Sequence, residues 1–366
     1  MQSPLIIGGG PAGAAAAVIA AAGREIRLIE RTSGPTDKVC GDFLSTGALA
    51  LLEALEIDPL ALGGAPINAL RLVHRHHVAE TRLPFRAVGL SRRALDEALL
   101  QNAASRGAEV LRGKLVQRLE PAAGGFTAQT TTLGPLPAAS VFLATGKHDL
   151  RGAPRPHGAD EPVGLKMYYQ LMPDQHAALQ DCVELVLFPE GYAGLQHVEQ
   201  HRTVLCLMVS ARRFRRAGAS WDGLFESFTG SAPHLARRLR GATPSLDRPL
   251  AIAAIPYGYL HRTSRDAPPN LFRLGDQACV IPSLAGDGVA IALTSGTLAA
   301  RTWLQRESAA VYDRLLQYSI HRQLRLASLV HAGCTAPALQ PIVAALARCG
   351  PGIMRVVAGA TRIATA

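Results

Sequence analysis

Three glycines with a fixed spacing stand near the start of the chain. Gly8, Gly10 and Gly13 follow the apolar run Leu5-Ile6-Ile7, and Glu30 lies twenty residues after Gly10. In this spacing the first glycine allows a tight turn after a strand, the second lets backbone approach a diphosphate, and the third lets helix and strand pack closely. N–H groups at the helix start bind the diphosphate, and the acid binds a ribose. The segment therefore predicts a dinucleotide site.

The composition indicates a folded chain of 366 residues with a net charge of +10. Hydrophobic residues make up 48% and charged residues 18%, which is typical of a globular protein. No apolar run is long enough to span a bilayer and the first strand has no basic leader, so a cytoplasmic location is expected. Since the basic residues are scattered without an aromatic-rich patch, anionic cofactors, anionic substrates or an acidic carrier protein explain the charge better than nucleic acid.

The cysteines and histidines do not predict a metal site. The six cysteines form no CxxC pair and no zinc spacing, so free thiols in a reducing compartment are expected. The run Val73-His74-Arg75-His76-His77 has no acid or cysteine at ligand spacing. A solvated strand face is therefore favoured over a metal site at these histidines.

Helical and strand periodicities alternate along the first 150 residues. Residues 46–62 are predicted to form an amphipathic helix. A second helix is predicted after Ser91, which would be its N-cap. Strands are expected at residues 69–77, 80–86 and 140–146, and Gly124-Gly125 turns a hairpin.

Residues 151–267 change character, because strand-like alternation replaces helical periodicity. The segments with this alternation are 163–171, 183–188, 203–210 and 251–259, and residues 212–240 are Arg-rich and helical. The dinucleotide pattern returns at Leu271 to Asp276, and a helix opens after Gly288. The sequence therefore predicts a sheet domain inserted into a dinucleotide-binding domain.

The last part of the chain is helical and rich in Ala, Leu and Arg, with breaks at Pro337, Pro341 and Gly350-Pro351. These helices could cover a site, form a dimer contact or lie on a membrane surface. Their spacing favours packing on a core. The residues that carry this pattern are Leu339, Ile342, Val343, Leu346, Arg348, Ile353, Arg355, Val356 and Val357.

Four separated motifs together resemble those of the FAD-dependent oxidoreductases that include geranylgeranyl reductases and, more distantly, para-hydroxybenzoate hydroxylase-type monooxygenases. They are the glycine loop, Ala144-Thr145-Gly146, Gly275-Asp276 and the loop from Pro282 to Gly288, and they span about the first 300 residues. The resemblance implies a mixed α/β fold, with a Rossmann-like FAD-binding domain at 1–64, 87–150 and 268–305. It also implies a β-sheet substrate domain at 65–86 and 151–267 and a helical C-terminal region at 306–366.

The resemblance also implies which residues bind FAD. Glu30 would bind the adenosine ribose, the backbone of Val116 would lie beside the adenine, and Asp276 would accept hydrogen bonds from the ribityl chain. A helix start after Asp287 would favour negative charge on the reduced ring. An ionised Asp287 there is unfavourable, unless its side chain points away. The FAD residues implied are Gly8, Gly10, Pro11, Ala12, Gly13, Glu30, Arg31, Lys38, Cys40, Gly41, Arg92, Val116, Ala144, Thr145, Gly146, Gly275, Asp276, Pro282, Gly286, Asp287, Gly288 and Val289.

Two segments resemble the substrate side of the geranylgeranyl reductase group, Lys38-Val39-Cys40-Gly41 and Pro189 to Gly194. The pocket candidates are Cys40, Asp42, Tyr192 and Tyr257. Cys40 could instead be a small buried apolar residue, and each tyrosine could serve in ordinary sheet packing. Gly194 stands where an aromatic residue often follows in that group, which counts against a prenyl substrate.

These motifs favour a monooxygenase that uses FAD, NAD(P)H and oxygen on a small hydrophobic, aromatic or polyketide-like substrate, free or bound to a carrier. The alternative is a reductase of a carbon–carbon double bond. A halogenase is less favoured because the Trp-x-Trp-x-Ile-Pro segment is absent, and a non-enzymatic FAD-bound module is the last option. Without a second glycine motif, the nicotinamide must dock transiently or the reductant must be another protein. A monomer or homodimer is expected.

Overall fold

The computed structural model describes residues 4–22, 24–156, 158, 161–264 and 267–363. In chain order its strands are β1 (Leu5–Ile7), β2 (Ile26–Glu30), β3 (Phe43–Leu44), β4 (Ala65–His74), β5 (His77–Gly89), β6 (Ala108–Arg112), β7 (Val116–Ala122), β8 (Gly125–Thr130), β9 (Pro135–Ala138), β10 (Val141–Leu143), β11 (Val163–Gln170), β12 (Cys182–Phe188), β13 (Gly191–His197), β14 (Thr203–Val209), β15 (Thr243–Pro244), β16 (Leu250–Ile252) and β17 (Leu271–Arg273).

The α-helices of the same ranges are α1 (Pro11–Ala20), α2 (Thr46–Ala54), α3 (Arg92–Ser105), α4 (Pro173–Ala178), α5 (Ala211–Arg216), α6 (Trp221–Glu226), α7 (Phe228–Ser231), α8 (Pro233–Arg238), α9 (Gly288–Leu304), α10 (Ala309–Thr335), α11 (Gln340–Cys349) and α12 (Pro351–Ala360). Short 3₁₀ turns occur at Glu199–His201, Gly275–Gln277 and Ser283–Ala285.

A parallel sheet with the strand order β17-β10-β1-β2-β6 organises the N-terminal half. Strands β1 and β10 are buried throughout, as expected for a parallel sheet that is covered on both faces. Helices α1, α3 and α9 contribute to the core on one face, and the hairpin sheet β7-β8-β9 contributes to the core on the other. The carboxyl ends of β1, β10 and β17 meet at one edge, so the segments that follow these three strands come together there.

A second, mostly antiparallel sheet has the order β15-β11-β14-β13-β12-β4-β5-β3, with β16 on β11. Neighbouring residues of its strands point to opposite faces, as the period of two requires. Val186 and Leu207 pack with α6 to α8 on one face, whereas Leu187 and Met208 pack with the C-terminal helices on the other.

The fold class is confirmed, because parallel and mixed sheets combine with helices in one α/β structure. The Ser91 cap is also correct, since its hydroxyl accepts a hydrogen bond from the N–H of Ala94. Strand β13 was not expected, and it inserts between β12 and β14. The domain limits stay a prediction; β3 pairs with Val88 and Gly89 at the end of β5, which the prediction also assigns to the FAD-binding part.

Two predicted elements are shorter than expected and end just before a left-handed residue, and a third is divided into four helices, the first break of which contains a left-handed residue. The helix predicted at 46–62 ends at Ala54, just before Glu56 with a φ of 59°. The strand predicted at 251–259 ends at Ile252, before Ala254 with a φ of 56°. The stretch 212–240 is divided into α5 to α8, with Ala219 at a φ of 51°. Apolar spacing alone does not reveal such backbone positions.

The C-terminal helices are broken where prolines and a glycine predict breaks. Pro341 and Pro351 lie in the first turns of α11 and α12, where the missing N–H costs nothing. Helices α11 and α12 pack against the hairpin of β4 and β5. In the described ranges no helix alone is long and apolar enough to cross a membrane, whereas α10 and α11, bent by 109°, meet that criterion as a pair.

Candidate functional site

The turn between β1 and α1 leaves no room for side chains at two of its glycines. Gly8 has a φ of 108°, and a Cβ atom there would lie 2.3 Å from the carbonyl oxygen of Ala144. A Cβ on Gly13 would lie 2.0 Å from the carbonyl oxygen of Gly8. Helix α1 then begins at Pro11 with no acid in its first turn and no side-chain cap. Its first N–H groups are therefore available to an anion.

Glu30 lies buried at the end of β2, directly behind this turn. Its carboxylate accepts hydrogen bonds from the N–H of Gly9 at 2.6 Å and from the N–H and hydroxyl of Thr32 at 3.0 and 2.8 Å. Burial raises the pKa of Glu30, but the charge of Lys38 and these donors outweigh burial and bring the pKa below its usual value. Glu30 is therefore ionised at neutral pH.

Two adjoining cavities follow the carboxyl edge of the parallel sheet. The glycine-loop cavity, about 380 Å³, is lined by Gly8, Gly10, Glu30, Arg31, Lys38, Arg92, Val116, Ala144, Thr145, Gly146, Lys147 and Asp276, among others. The central cavity, about 160 Å³, is lined by Gly10, Pro11, Ala12, Cys40, Gly41, Arg92, Ala144, Gly146, Lys147, Tyr257, Gly275, Asp276, Gly286, Gly288 and Val289, among others. Shared lining residues make the two cavities one continuous cleft, in which most of the residues implied for FAD come together.

A network of two cations and one acid faces this cleft. Arg92 binds Asp96 through Nε and Nη2 at 2.7 and 2.8 Å, and Lys38 Nζ binds the same carboxylate at 2.9 Å. Burial raises the pKa of Asp96, but Arg92 and Lys38 outweigh it and lower that pKa. The network therefore carries one net positive charge, which suits a diphosphate in the cleft.

A second charged group lies at the other side of the cleft. Lys147 Nζ binds Asp276 at 3.0 Å. The side chain of Arg155 is fully buried and donates to the backbone carbonyls of Asp276, at 2.7 Å, and Lys147, at 2.9 Å. Arg155 therefore fixes the backbone of both residues. The sequence analysis missed Lys147 and Arg155, although Lys147 directly follows the Ala-Thr-Gly motif.

Asp42 was expected in a substrate pocket, but its side chain lies behind the cleft. It is fully buried and accepts hydrogen bonds from Lys166 Nζ at 2.7 Å and from the hydroxyl of Tyr168 at 2.6 Å. Lys166 Nζ also donates to the carbonyl of Lys38 at 3.0 Å. Asp42 has a φ of 56°, and burial raises its pKa while Lys166 opposes that effect. This buried group fixes the segment that presents Cys40 to the cleft.

A third, apolar cavity of about 450 Å³ lies between the second sheet and the C-terminal helices. It shares Gly41, Phe43, Cys206, Leu207, Ser283 and Gly286 with the central cavity, so the two cavities adjoin. Its remaining wall is mostly aliphatic, with residues such as Leu70, Leu185, Met208, Val330, Val343 and Met354. Such a wall excludes water and suits an apolar ligand.

A polar cluster marks the junction of the apolar and central cavities. The hydroxyls of Tyr192 and Tyr257 both hydrogen-bond to Ser283 Oγ, the second at 2.7 Å. The ring of His331 lies 5.3 Å from the Tyr257 ring and 6.0 Å from the Tyr192 ring, and its Nδ1 is buried without a partner among the described residues. Burial lowers the pKa of His331 to about 4, so the imidazole is neutral at neutral pH.

Asp287 has its carboxylate turned away from the cleft. It binds Arg362 Nη1 at 3.0 Å and accepts a hydrogen bond from the N–H of Ile363 at 2.8 Å. Arg362 also donates to the carbonyl of Ala285. The acid therefore anchors the segment after α12, which agrees with a side chain that points away from the ring site.

The structure thus brings most of the predicted residues to one cleft and leaves a few outside its lining. Gly13 packs on Gly8, and neither Pro282 nor Asp287 lines a cavity. The residues that the sequence analysis missed are Lys147, Arg155, Lys166, Tyr168, Ser283 and His331. Lys147 and Ser283 lie next to or within recognised motifs but are not themselves motif residues, whereas Arg155, Lys166, Tyr168 and His331 come from segments without a motif. Among the described residues, no group of three His, Cys, Asp or Glu could hold a metal ion.

Comparisons with known proteins agree with this arrangement. Residues 2–135 match the family model of the FAD binding domain. No curated protein matches the sequence significantly. The fold is similar to that of the flavin-dependent brominase Bmp2, with a TM-score of 0.79 and 15% identity over 98% of this chain and 93% of that one.

Two further structures share the fold. A geranylgeranyl bacteriochlorophyll reductase-like protein from Thermoplasma acidophilum has a TM-score of 0.73 and 18% identity over 91% of this chain and 87% of that one. A variant of the halogenase PltM, solved in complex with FAD, has a TM-score of 0.69 and 12% identity over 91% of this chain and 77% of that one.

The residues of the cleft fit FAD on three observations. Side chains are excluded at Gly8 and Gly13, Glu30 is ionised behind the turn, and Arg92 with Lys38 leaves a net positive charge beside it. These features stand on the segment that matches the FAD binding domain. Residues 2–135 therefore carry an FAD binding domain, and the likeness of the whole chain to flavoenzyme structures shows a shared fold.

Proposed function

We propose that the chain is a monooxygenase that hydroxylates a small hydrophobic molecule with an aromatic or polyketide-like ring, using FAD, NAD(P)H and oxygen. One observation carries this proposal: the apolar cavity meets the FAD cleft at a cluster of hydroxyl groups. A ligand there would lie in an apolar space with polar groups at the end nearest the cofactor.

The residues that would hold FAD are those of the cleft. The start of α1 and the Arg92–Lys38 pair would hold the diphosphate, Glu30 the adenosine ribose and Asp276 the ribityl chain. FAD supplies two-electron chemistry between a nicotinamide, oxygen and an organic substrate. Lys147 would keep Asp276 in place, since the two side chains are 3.0 Å apart.

The hydroxyl cluster can orient a hydroxyl group on the substrate. Tyr192, Tyr257 and Ser283 have three hydroxyl protons, and their two mutual hydrogen bonds use two of them. One proton is left to donate to a ligand. Burial raises the pKa of both tyrosines, so they remain neutral donors, and neutral His331 offers an acceptor nitrogen beside them. A phenol or enol would be held with its hydroxyl at this junction, which is the end of the apolar cavity nearest the cleft.

The overall reaction balances with one nicotinamide. Two electrons from NAD(P)H and one oxygen molecule give a hydroxylated product and one water. Because the chain lacks a second glycine motif of the dinucleotide type, we propose that NAD(P)H docks transiently at the cleft.

Product analysis tests the proposal. The FAD-loaded protein is given NADPH or NADH, isotopically labelled oxygen gas and a panel of alkyl-substituted phenols. We expect nicotinamide oxidation that depends on both oxygen and phenol, and a product with one labelled oxygen atom. Substrate-dependent nicotinamide oxidation without oxygen, with two hydrogens added to the product, would instead identify a double-bond reductase.

A halogenase is the second candidate, because the fold agrees with a brominase over 98% of this chain. The same panel is therefore repeated with bromide and chloride. Replacement of a ring hydrogen by a halogen would identify this activity and exclude hydroxylation as the main reaction.

A further inference from the structure

We infer that the outer faces of α11 and α12, together with the end of α10, dock onto an anionic lipid bilayer. The docking itself does not depend on the reaction proposed above. A second consequence, the entry of substrate from that surface into the apolar cavity, rests on the proposed function.

The C-terminal helices carry apolar side chains on two sides. Ala344, Ala347 and Met354 are buried inside, against the sheet. Ile342 and Leu346 on α11, and Ile353 and Val356 on α12, are exposed at helical spacing on the opposite side. Val356 is 70% exposed, and Leu329 near the end of α10 is 71% exposed. An apolar surface of this kind marks an interaction site.

The exposed apolar surface and the apolar cavity are continuous. Leu329, Leu346 and Ile353 line the cavity and are also exposed. The mouth of the cavity therefore opens within the apolar surface rather than beside it. A lipophilic molecule that moved from a bilayer into this mouth would not have to cross water.

The charges around this surface favour anionic lipid. Residues 309–363 contain six arginines, no lysine and a single acid, Asp313, which is buried. Five of the arginines are exposed: Arg348 and Arg355 lie on α11 and α12 themselves, and Arg314, Arg322 and Arg325 lie further back along α10. Arginines near an anionic membrane each contribute about a fivefold gain in binding. An apolar face flanked by arginines is the pattern of an interfacial helix.

A second copy of the chain fits this surface less well. A two-fold dimer would place the surface against itself, and the exposed arginines would then face one another. Within residues 309–363 no exposed acid is present to pair with them. Charge complementarity therefore assigns the surface to an anionic bilayer.

The test is sedimentation of the full-length FAD-loaded protein with vesicles of phosphatidylcholine, with and without phosphatidylglycerol. We expect binding that needs the anionic lipid and weakens at high salt. The variant Ile342→Glu/Val356→Glu changes two exposed residues that do not line the cavity, and it should bind at least about tenfold more weakly. The matched control Leu60→Glu/Leu133→Glu changes two exposed leucines outside α10 to α12 and should bind as the parent does.

Several results would overturn the inference. They are no vesicle binding by the parent protein, equal binding to neutral vesicles at all salt concentrations, or equal loss in the control variant. A parent dimer in light scattering that Ile342→Glu/Val356→Glu converts to a monomer would assign the surface to a second copy. FAD absorbance and the unfolding midpoint of each variant establish that it is folded. Because sedimentation needs no substrate, failure here would leave the proposed reaction untouched.

Discussion

Removing the buried lysine behind the cleft should destabilise the protein in a strongly pH-dependent way. Lys166 has no exposed surface, and its Nζ lies 2.7 Å from Asp42 Oδ2. The substitution Lys166→Met keeps the apolar stem and removes the charge. Among the described residues, it leaves the buried Asp42 carboxylate with the Tyr168 hydroxyl and the backbone N–H of Arg92 as its remaining donors. Loss of one partner from a buried ion pair typically costs ~3–5 kcal/mol.

Proton uptake sets an upper limit to this cost. Once the charged carboxylate becomes too unfavourable, Asp42 binds a proton in the folded state. The difference between pH 7 and its ordinary pKa of 3.8 corresponds to about 4 kcal/mol, at ~1.4 kcal/mol per pH unit. At pH 5 the same difference is about 1.6 kcal/mol.

The sign follows from proton binding in the two states. In Lys166→Met the largest opposing charge is gone, so the pKa of Asp42 in the folded state rises further above its unfolded value. The folded variant therefore binds more protons than the unfolded chain between pH 3.8 and that raised pKa. Because the pKa of Asp42 is already raised in the parent, the stability of the variant relative to the parent should fall as pH rises from the parent's folded pKa to that of the variant.

Urea unfolding at pH 5 and pH 7, followed by tryptophan fluorescence, measures the effect. The double variant Asp42→Asn/Lys166→Met is the control, since asparagine tolerates the left-handed backbone at this position and has no charge. We expect it to lose less than about 2 kcal/mol, equally at both pH values. The reasoning fails if Lys166→Met loses the same stability at pH 5 and pH 7. It also fails if the double variant is as unstable at pH 7 as the single one.

Three further predictions concern the cofactor cleft and the hydroxyl cluster. Gly13→Ala should weaken FAD binding about tenfold or more, because the added Cβ would overlap Gly8. Gly34→Ala is the control, since Gly34 has open space around it and its FAD affinity should not change. A fluorescence titration with FAD measures both affinities. The stability contributed by ionised Glu30 should be constant above pH 4.5 and be lost as pH falls through its lowered pKa, and Glu30→Gln should remove this dependence of the unfolding midpoint. The pH profile of kcat should show no inflection near 6.5 from His331, whose pKa is about 4, so His331→Asn should leave the profile above pH 6 unchanged in shape.

The cofactor cleft was predictable from the sequence because its parts are local motifs. The turn at Gly8 to Gly13, the Ala144-Thr145-Gly146 strand end and the loop at Gly286 each depend on backbone geometry that a few neighbouring residues determine. Parallel strands then bring the three segments to one edge of the sheet. The fold class follows from the same alternation of strands and helices.

The substrate side was not predictable in this way. Lys166 meets Asp42, and Ser283 and His331 meet Tyr257, only through the tertiary packing of distant segments. From the sequence alone, a lysine in an apolar strand is predicted to be exposed. Its burial is explained only by the contact with Asp42. The C-terminal helices were expected to pack on a core, and their inner faces do so. Their outer faces are apolar as well, and a spacing argument cannot separate these two sides when both are apolar.

The basic residues behind the net charge of +10 are concentrated in two regions of the fold. Along the sequence the basic residues look scattered, which argued only against a nucleic-acid patch. In the fold one set surrounds the cofactor cleft, namely Arg31, Lys38, Arg92, Lys147 and Arg155. The other set lies on the C-terminal helices and has no exposed acid beside it within residues 309–363. Three acids paired with the first set, Asp96, Asp149 and Asp276, leave it partly neutralised before FAD binds. The second set has no exposed acid within residues 309–363, and its members Arg348 and Arg355 lie on the same helices as the apolar surface, so an anionic lipid headgroup layer matches this set better than a free anion.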